Sequence, residues 1–434
     1  MSGAVAHLDR DQRVTAERLR ILRQYGLTVG TLGSTAGQTV MVALLPILLA
    51  EYAPSAVWIG FAIGGEGVFA LLVPYWIGAL SDHLPQRLAR RWGRRTLFLV
   101  LAAPIMAGAM AAAPFVTGYW PLAGLALLYF AAFHGYLTPL WALMVDAVPE
   151  ERLATVHGVR GALHAAGLGY GLVGGGLLFA LWPPLPFLLG ALLIIVTTGV
   201  TLWAAPRVDE QGGDPTGAPV TGEARTVWRE LAARPDVRRF LVANALWTGA
   251  VDGIRPYIFL FAVAVLAIDT AETSAMLLLL VGGIGIGSVL LGRLGDRFGR
   301  VPLLAGGALL TAVAMLLGVL VRELDGAVAL LLASGLGAAA LIALPYPVFA
   351  ALVGNRAIGR YTGLYILSLG LARVAAPVMV GIAIDLGRPL FPEYDGYPFM
   401  WPVAGLMALL GAMLLWRALG GTRAPRLRAA PPGR

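Results

Sequence analysis

Cysteine and lysine are absent from the 434-residue chain, and charge of either sign is scarce: 13% of residues are charged and 58% are hydrophobic. Without cysteine there is no disulfide framework, no thiolate metal site and no cysteine nucleophile. A soluble globular domain carries roughly 25% charged residues, so the shortage, with a mean hydropathy of +0.78, excludes that class and marks a membrane protein. No Walker loop, zinc-type histidine pair or nucleophile elbow occurs in a workable context. Catalysis and ATP hydrolysis are therefore not expected, and no metal or other cofactor is implied. The glycine clusters GLGYGLVGGG (167–176) and GGIGIG (282–287) lack the strand and soluble helix of a dinucleotide loop. Inside apolar runs, small residues instead let helices approach closely. The first twenty or so residues mix acids with arginines and contain no short apolar core with a cleavage site, so no cleaved signal peptide is expected.

Apolar runs of about 18 or more residues recur along nearly the whole chain, each long enough to cross a hydrocarbon core of roughly 30 Å as a helix. The weak alternation of a membrane barrel is missing, so the fold is expected to be all-α. Windows of about nineteen residues place twelve spans, beginning near Tyr25, Ala56, Thr96, Trp120, Thr155 and Pro183, then near Phe240, Thr273, Val301, Gly326, Ile358 and Pro398. The expected organisation is an N-terminal arm (1–22), a six-helix bundle (23–205), a polar linker (206–237), a second six-helix bundle (238–420) and a tail (421–434). The linker is rich in Gly, Pro, Asp and Arg, with a short surface helix expected around 226–233.

Arginine supplies all the basic charge, and so the formal net charge of +8. In a soluble protein that balance would suggest nucleic acid, but here the arginines crowd into alternate connections: the arm, 87–95, the linker, 293–300, Arg356 and Arg360, and the tail. The intervening connections are short of arginine or balanced by acids. By the positive-inside bias, both termini and the linker face the cytoplasm, which suits a bacterial inner membrane.

One charged phrase occurs twice. GALSDHLPQRLARRWGRR (78–95) has a shorter copy in GRLGDRFGR (292–300), with Gly78, Leu80 and Asp82 matching Gly292, Leu294 and Asp296 at an offset of 214. Pro139, Ala142, Val145 and Arg152 match Pro347, Ala350, Val353 and Arg360 at an offset of 208. Two copies of a six-span unit in the same orientation follow.

These features resemble the major facilitator superfamily of secondary transporters, whose signature is Gly-x-Leu-x-Asp followed by arginines between spans 2 and 3, with an echo between spans 8 and 9. The first half, through SDHLPQRLARRWGRRTLF and PLWALMVDAVPEERLATVHG, is similar more specifically to the glycoside-pentoside-hexuronide symporters and sucrose transporters; the second half reads as a generic facilitator. The resemblance implies a cytoplasmic gate between halves built from Gly78, Asp82, Arg94, Arg95, Asp146 and Arg152, and from Gly292, Asp296, Arg297, Arg300 and Arg360. An Asp at a span end can accept from arginines and from the N-terminus of a neighbouring helix. The bland alternative for the arginines is topology alone, which hardly uses acids.

Ionisable groups at membrane depth each raise a functional hypothesis. Glu66 in span 2 has no basic neighbour in sequence and is read as a proton carrier or, alternatively, a polar interhelical contact. Asp252 is read as a second coupling carboxylate or as a structural partner of Arg255. Asn244, Thr248, Asp252, Arg255 and Phe259 fall on one face of span 7, and Thr31, Thr35 and Gln38 form a stripe on span 1. In the superfamily these two spans line the central cavity, and the stripes suit hydroxyl groups. Arg373 is read as pairing with Glu66 or Asp252, or as clamping an anionic substrate. His134 and His164 are relay candidates or packed helix contacts. Trp141 and Tyr365 could stack on a sugar ring, although ordinary packing is the bland reading.

The expected function is alternating-access transport, proton-coupled symport of a sugar or glycoside, by a protein that acts as a monomer with no nucleic-acid partner. A drug-efflux carrier is the rival within transport, weakened because span 5 lacks a Gly-Pro signature. A non-transporting assembly factor on the same scaffold is the rival from another class.

Overall fold

The computed structural model describes residues 10–82, 84, 86–205, 229, 231–354 and 358–419. Among the described residues, twelve helical spans are long and apolar enough to cross a membrane: Glu17–Ala50, Ala56–Ile77, Thr96–Phe115, Tyr119–Ala147, Thr155–Leu181, Leu185–Ala204, Pro235–Leu266, Thr270–Gly287, Arg300–Gly318, Leu324–Val353, Tyr361–Gly387 and Tyr397–Ala418. They are numbered 1 to 12 below. Span 1 starts earlier than hydropathy predicts, because the polar helix Arg10–Gly26 runs through a turn at 27–29 into Gly30–Ala43. Hydropathy cannot see the junction, since the helix continues where the apolar sequence begins. Most of the predicted linker and the tail lie outside the described residues, while Arg229 and Leu231 to Ala233, within the expected surface helix, are helical.

In the first six spans, span 1 packs on spans 5 and 6, span 4 on spans 2 and 3, and span 3 on span 6. In the last six, span 7 packs on spans 11 and 12, span 8 on span 10, and span 9 on spans 10 and 12. The two sets meet along spans 2 and 11 and along spans 5 and 8. Leucines such as Leu72, Leu192 and Leu386 point outward, which is the placement lipid allows.

Several spans depart from a regular α-helix: span 3 ends and span 12 begins in a 3-10 turn, and span 10 breaks at Leu344, before Pro345. Span 7 passes through a 3-10 turn at Arg255–Tyr257, where Pro256 supplies no N–H for the α-helical ladder. Span 5 contains a π-helical turn at Tyr170–Gly174, a form common at functional positions. Span 1 is interrupted at Leu44, before Pro46.

Twelve crossings bring the beginning of span 1 and the end of span 12 to one face, called the termini face below; the other is the far face. The described hydrogen bonds between the two sets gather at the far face. Asp385, near the end of span 11, accepts from the backbone N–H of Ala56 at 3.0 Å and of Val57 at 3.1 Å. These are the first residues of the helix Ala56–Asp82, whose N–H groups have no partner within the helix. Fully buried Tyr257 donates to the carbonyls of Ala56 and Pro377 at 3.0 and 2.8 Å, and Ser274 of span 8 donates to Leu172 O of span 5 at 2.9 Å. A Cβ at Gly381 would sit 2.7 Å from Val57 Cα and 2.6 Å from the Tyr257 hydroxyl. Only glycine permits that approach.

Candidate functional site

The pattern AIGGEGVF explains how a carboxyl comes to lie at the seam between the halves. Gly64 and Gly67 press span 2 against the backbone of Val374 in span 11, leaving no room for a side chain at either position. Glu66, between them in sequence, is 5% exposed. It accepts a hydrogen bond from Gln38 Nε2 of span 1, and its charge is felt by Arg373 of span 11 and by the Tyr129 hydroxyl of span 4.

Asp252 lies one turn before the 3-10 break of span 7. One carboxylate oxygen takes Arg255 Nη1 at 3.3 Å and the other takes Arg373 Nε at 3.2 Å. Asp252 therefore has both of the partners weighed for it, one local and one across 121 residues of sequence. Val42, Ile63, Glu66, Asp252, Arg255, Arg373 and Pro377 line one cavity, with span 1 and span 2 residues on one side and span 7 and span 11 residues on the other. Two carboxyls and two guanidinium groups face one another there.

Toward the termini face, His164 Nδ1 is paired with Thr35 Oγ1 at 3.0 Å. Its ring lies within electrostatic reach of Arg160, Arg255 and Arg373. Arg160 stands over the Trp141 ring, 5.3 Å from its centroid, and donates to His157 Nδ1 at 3.3 Å. Trp141 is 48% exposed, so the indole is partly covered by a guanidinium and partly open. His134 is buried with its edge against Phe133 at 5.0 Å, and among the described residues its Nε2 has no hydrogen-bond partner.

Other candidates fall elsewhere. Asn244 is buried, donating to Ser368 Oγ at 3.0 Å and accepting from Trp247 Nε1 at 3.2 Å. Its amide ties span 7 to span 11 within the second set of six. Thr248 is half-buried. Tyr365 packs among Tyr346 and Phe349, with centroids 5.3 and 5.2 Å away. Thr31 is buried, with no partner for its hydroxyl among the described residues. The face read as one stripe on span 7 is divided: Asp252 and Arg255 reach the cavity, whereas Phe259 is buried against Gly176.

At the termini face, Arg95 pairs with Asp146 at 3.3 Å and Arg152 with Glu17 at 3.9 Å, both within the first six spans. Arg297 lies over the Phe298 ring at 5.4 Å, while Arg94 and Arg300 are engaged with other groups. Gly78 and Asp82 end the helix Ala56–Asp82, and Gly292 and Asp296 end Thr270–Phe298. The side chains of Asp82, Asp296 and Arg360 lie outside the described residues. Asp385 and Ser274, which with Tyr257 join the two sets at the far face, are not among the residues singled out from the sequence. An acid in the last turn of a helix opposes the helix dipole, and that signal was available for Asp385.

Among the described residues, no group of three or more His, Cys, Asp or Glu is placed to hold a metal ion. Chemically, the arrangement sets two carboxyls and two guanidinium groups against one another at the seam between the two helical sets.

Two sets of six membrane-spanning helices, meeting over a charged central cavity, define an integral membrane protein of the transporter class. The sequence pattern of the Major Facilitator Superfamily matches residues 27–288 and 264–434, and the chain belongs to that family. No curated protein matches the sequence. Among solved structures it is similar to a bacterial homolog of the human lysosomal transporter Spinster in an inward-facing, unoccupied conformation, with TM-score 0.74 and 15% identity over 92% of this chain and 97% of that one. It is similar also to the nucleoside transporter NupG (TM-score 0.70, 14% identity, 92% and 98% covered) and to a D-xylose-proton symporter (TM-score 0.68, 14% identity, 92% and 96% covered). At these identities the likeness is one of fold.

Proposed function

We propose that the chain is a secondary active transporter that couples proton movement to uptake of a sugar or glycoside by alternating access. The observation that carries the reading is Glu66, a buried carboxyl hydrogen-bonded to an amide and facing an arginine at the seam between the two helical sets. A proton on Glu66 changes its pull on Arg373, and Arg373 is bonded to Asp252 on span 7, so proton binding is felt by both sets of helices. Thr35, Gln38 and His164 provide hydroxyl-binding groups beside the carboxyls, and Trp141 provides a partly open ring. Asp82 and Asp296, with the neighbouring arginines, are assigned to closure at the termini face, which we place in the cytoplasm of a bacterial cell. The first-half resemblance to the glycoside-pentoside-hexuronide symporters supports the sugar assignment, and a xylose-proton symporter among the similar folds is in keeping with it. The transporter acts as a monomer.

The test is uptake of radiolabelled sugars into proteoliposomes, with and without an inward proton gradient, for the wild type, Glu66→Gln and Asp252→Asn. Gradient-stimulated uptake lost in either variant supports the reading. Gradient-driven movement of cationic dyes without any sugar flux would replace it with drug efflux.

A further inference from the structure

We infer that each six-helix half holds one anionic phospholipid at its outer corner on the termini face. One site is at Arg23 and Trp203, where span 1 meets span 6, and the other at Arg239 and Trp416, where span 7 meets span 12. The inference does not depend on which solute is carried.

The first corner is built by contact between spans 1 and 6. Thr201 Oγ1 accepts from the Gly30 N–H at 2.8 Å and donates to Gly26 O at 3.3 Å, and a Cβ on Gly26 would lie 2.7 Å from that of Ala204. Arg23 therefore stands about one turn beyond Gly26, level with the last turn of span 6. Its guanidinium lies 5.7 Å from the centre of the Trp203 ring, within the range of a cation–π contact. Trp203 is 52% exposed, so the side chain that steadies the arginine is itself half open to lipid. Nothing in the protein balances the charge. Among the described residues, Arg23 Nε is buried without a hydrogen-bond partner and no carboxylate pairs with the guanidinium. Glu17 of the same helix reaches Arg152 instead, at 3.9 Å.

The second half repeats the arrangement. Trp416 follows Trp203 by 213 residues, close to the offset of the duplicated charged phrase, and it is exposed at the end of span 12. Arg239, exposed at the start of span 7, donates Nη1 to Arg417 O at 3.3 Å. That bond holds it at the corresponding corner. From each tryptophan an exposed apolar stripe runs inward at helical spacing, through Val200, Val196 and Leu192 on span 6 and through Met413, Leu410 and Leu406 on span 12. Topology accounts for arginines on this face. It does not account for an arginine seated against the last helix of its own half, beside an exposed tryptophan, in both copies.

A lipid headgroup supplies the missing charge at this depth. Phosphate takes paired N–H bonds from one guanidinium, and a net negative headgroup is drawn to surface arginines. The acyl chains then lie along the apolar stripes.

The test is native mass spectrometry of the full-length protein in detergent, titrated with phosphatidylglycerol or with phosphatidylcholine of the same acyl chains. Two phosphatidylglycerol molecules are expected to bind tightly per protein, and phosphatidylcholine at least about fivefold more weakly, the scale of one arginine at a charged surface. Arg23→Gln and Arg239→Gln should each remove one tight site. Arg18→Gln, exposed on another face of the helix Arg10–Gly26, should remove neither. Either corner can be tested without the other, so a variant that folds poorly leaves its counterpart to decide. Equal binding of the two lipids, or equal loss in Arg18→Gln and Arg23→Gln, would overturn the sites and leave only diffuse attraction to a basic surface. Glycerol phosphate, which has the charge without the chains, should displace neither lipid at equal concentration. Displacement would overturn the lipid assignment in favour of a free phosphate anion.

Discussion

At Glu66 the carboxyl, the Gln38 amide and the Arg373 guanidinium come together from three helices. Glu66→Gln keeps a hydrogen-bonding side chain in the same space and removes the ionisable proton. We expect gradient-driven uptake to fall more than about tenfold, equivalent to about 1.4 kcal/mol or more. Exchange of labelled for unlabelled solute, which needs no net proton movement, should survive. The two assays on one proteoliposome preparation check this, and equal loss in both would remove Glu66 from the coupling step. Asp252→Asn acts on stability as well, since it leaves two guanidinium groups without their shared carboxylate. Lost charged hydrogen bonds cost roughly 1.5–3 kcal/mol, which should appear as a lower midpoint of thermal unfolding in detergent. Much of this site was legible as an inventory: Glu66, Asp252, Arg255 and Arg373 stand out as charges in apolar runs. Their pairing was only partly legible: local spacing shows Arg255 beside Asp252, whereas Arg373 was left between Glu66 and Asp252, and only the packing of span 11 on span 7 brings it to Asp252. Asn244 shows the opposite failure, a polar residue on the right helical face whose amide is consumed by Ser368 and Trp247 inside one bundle.

Among the elements, spans 2 and 11 carry the seam, and glycines at 60, 64, 67 and 381 let them touch backbone to backbone. Gly381→Val adds atoms where Val57 Cα and the Tyr257 hydroxyl already stand within 3 Å of a Cβ. Overpacking of this kind costs roughly 1–3 kcal/mol, and here it falls on the state in which the far face is joined. Asp385→Asn weakens the same junction by replacing a carboxylate at a helix N-terminus, an effect of about 0.3–1 kcal/mol for the dipole alone. Both variants should make a solute-sized thiol reagent react faster with a cysteine introduced at Ile63 beside the cavity when added from the far face. An unchanged rate would deny the junction any gating part. The spans themselves could be read from hydropathy because lipid demands about twenty apolar residues whatever the neighbouring helix is. The breaks at Arg255–Tyr257 and Tyr170–Gly174 could not all be read that way. Pro256 announces the first, but the π-helical turn has no signal in composition.

For the whole molecule, the absence of cysteine makes the natural sequence a ready background for paired spin labels. Labels on the termini-face ends of spans 4 and 10 and on the far-face ends of spans 1 and 7 should report opposite distance changes, one pair lengthening as the other shortens, when Gly381→Val is compared with the wild type. Parallel changes would contradict a rocking motion of two halves. A consequence also follows for the membrane voltage. Two acids and two arginines line the cavity, so their formal charges cancel, and moving one elementary charge through 100 mV is worth about 2.3 kcal/mol. An empty carrier whose charges cancel has almost nothing for the voltage to act on as it turns, so its return step should be electrically silent. On a solid-supported membrane, a solute jump should give a transient current for Glu66→Gln, whose site retains one excess positive charge, that is larger than any current from the empty wild-type carrier.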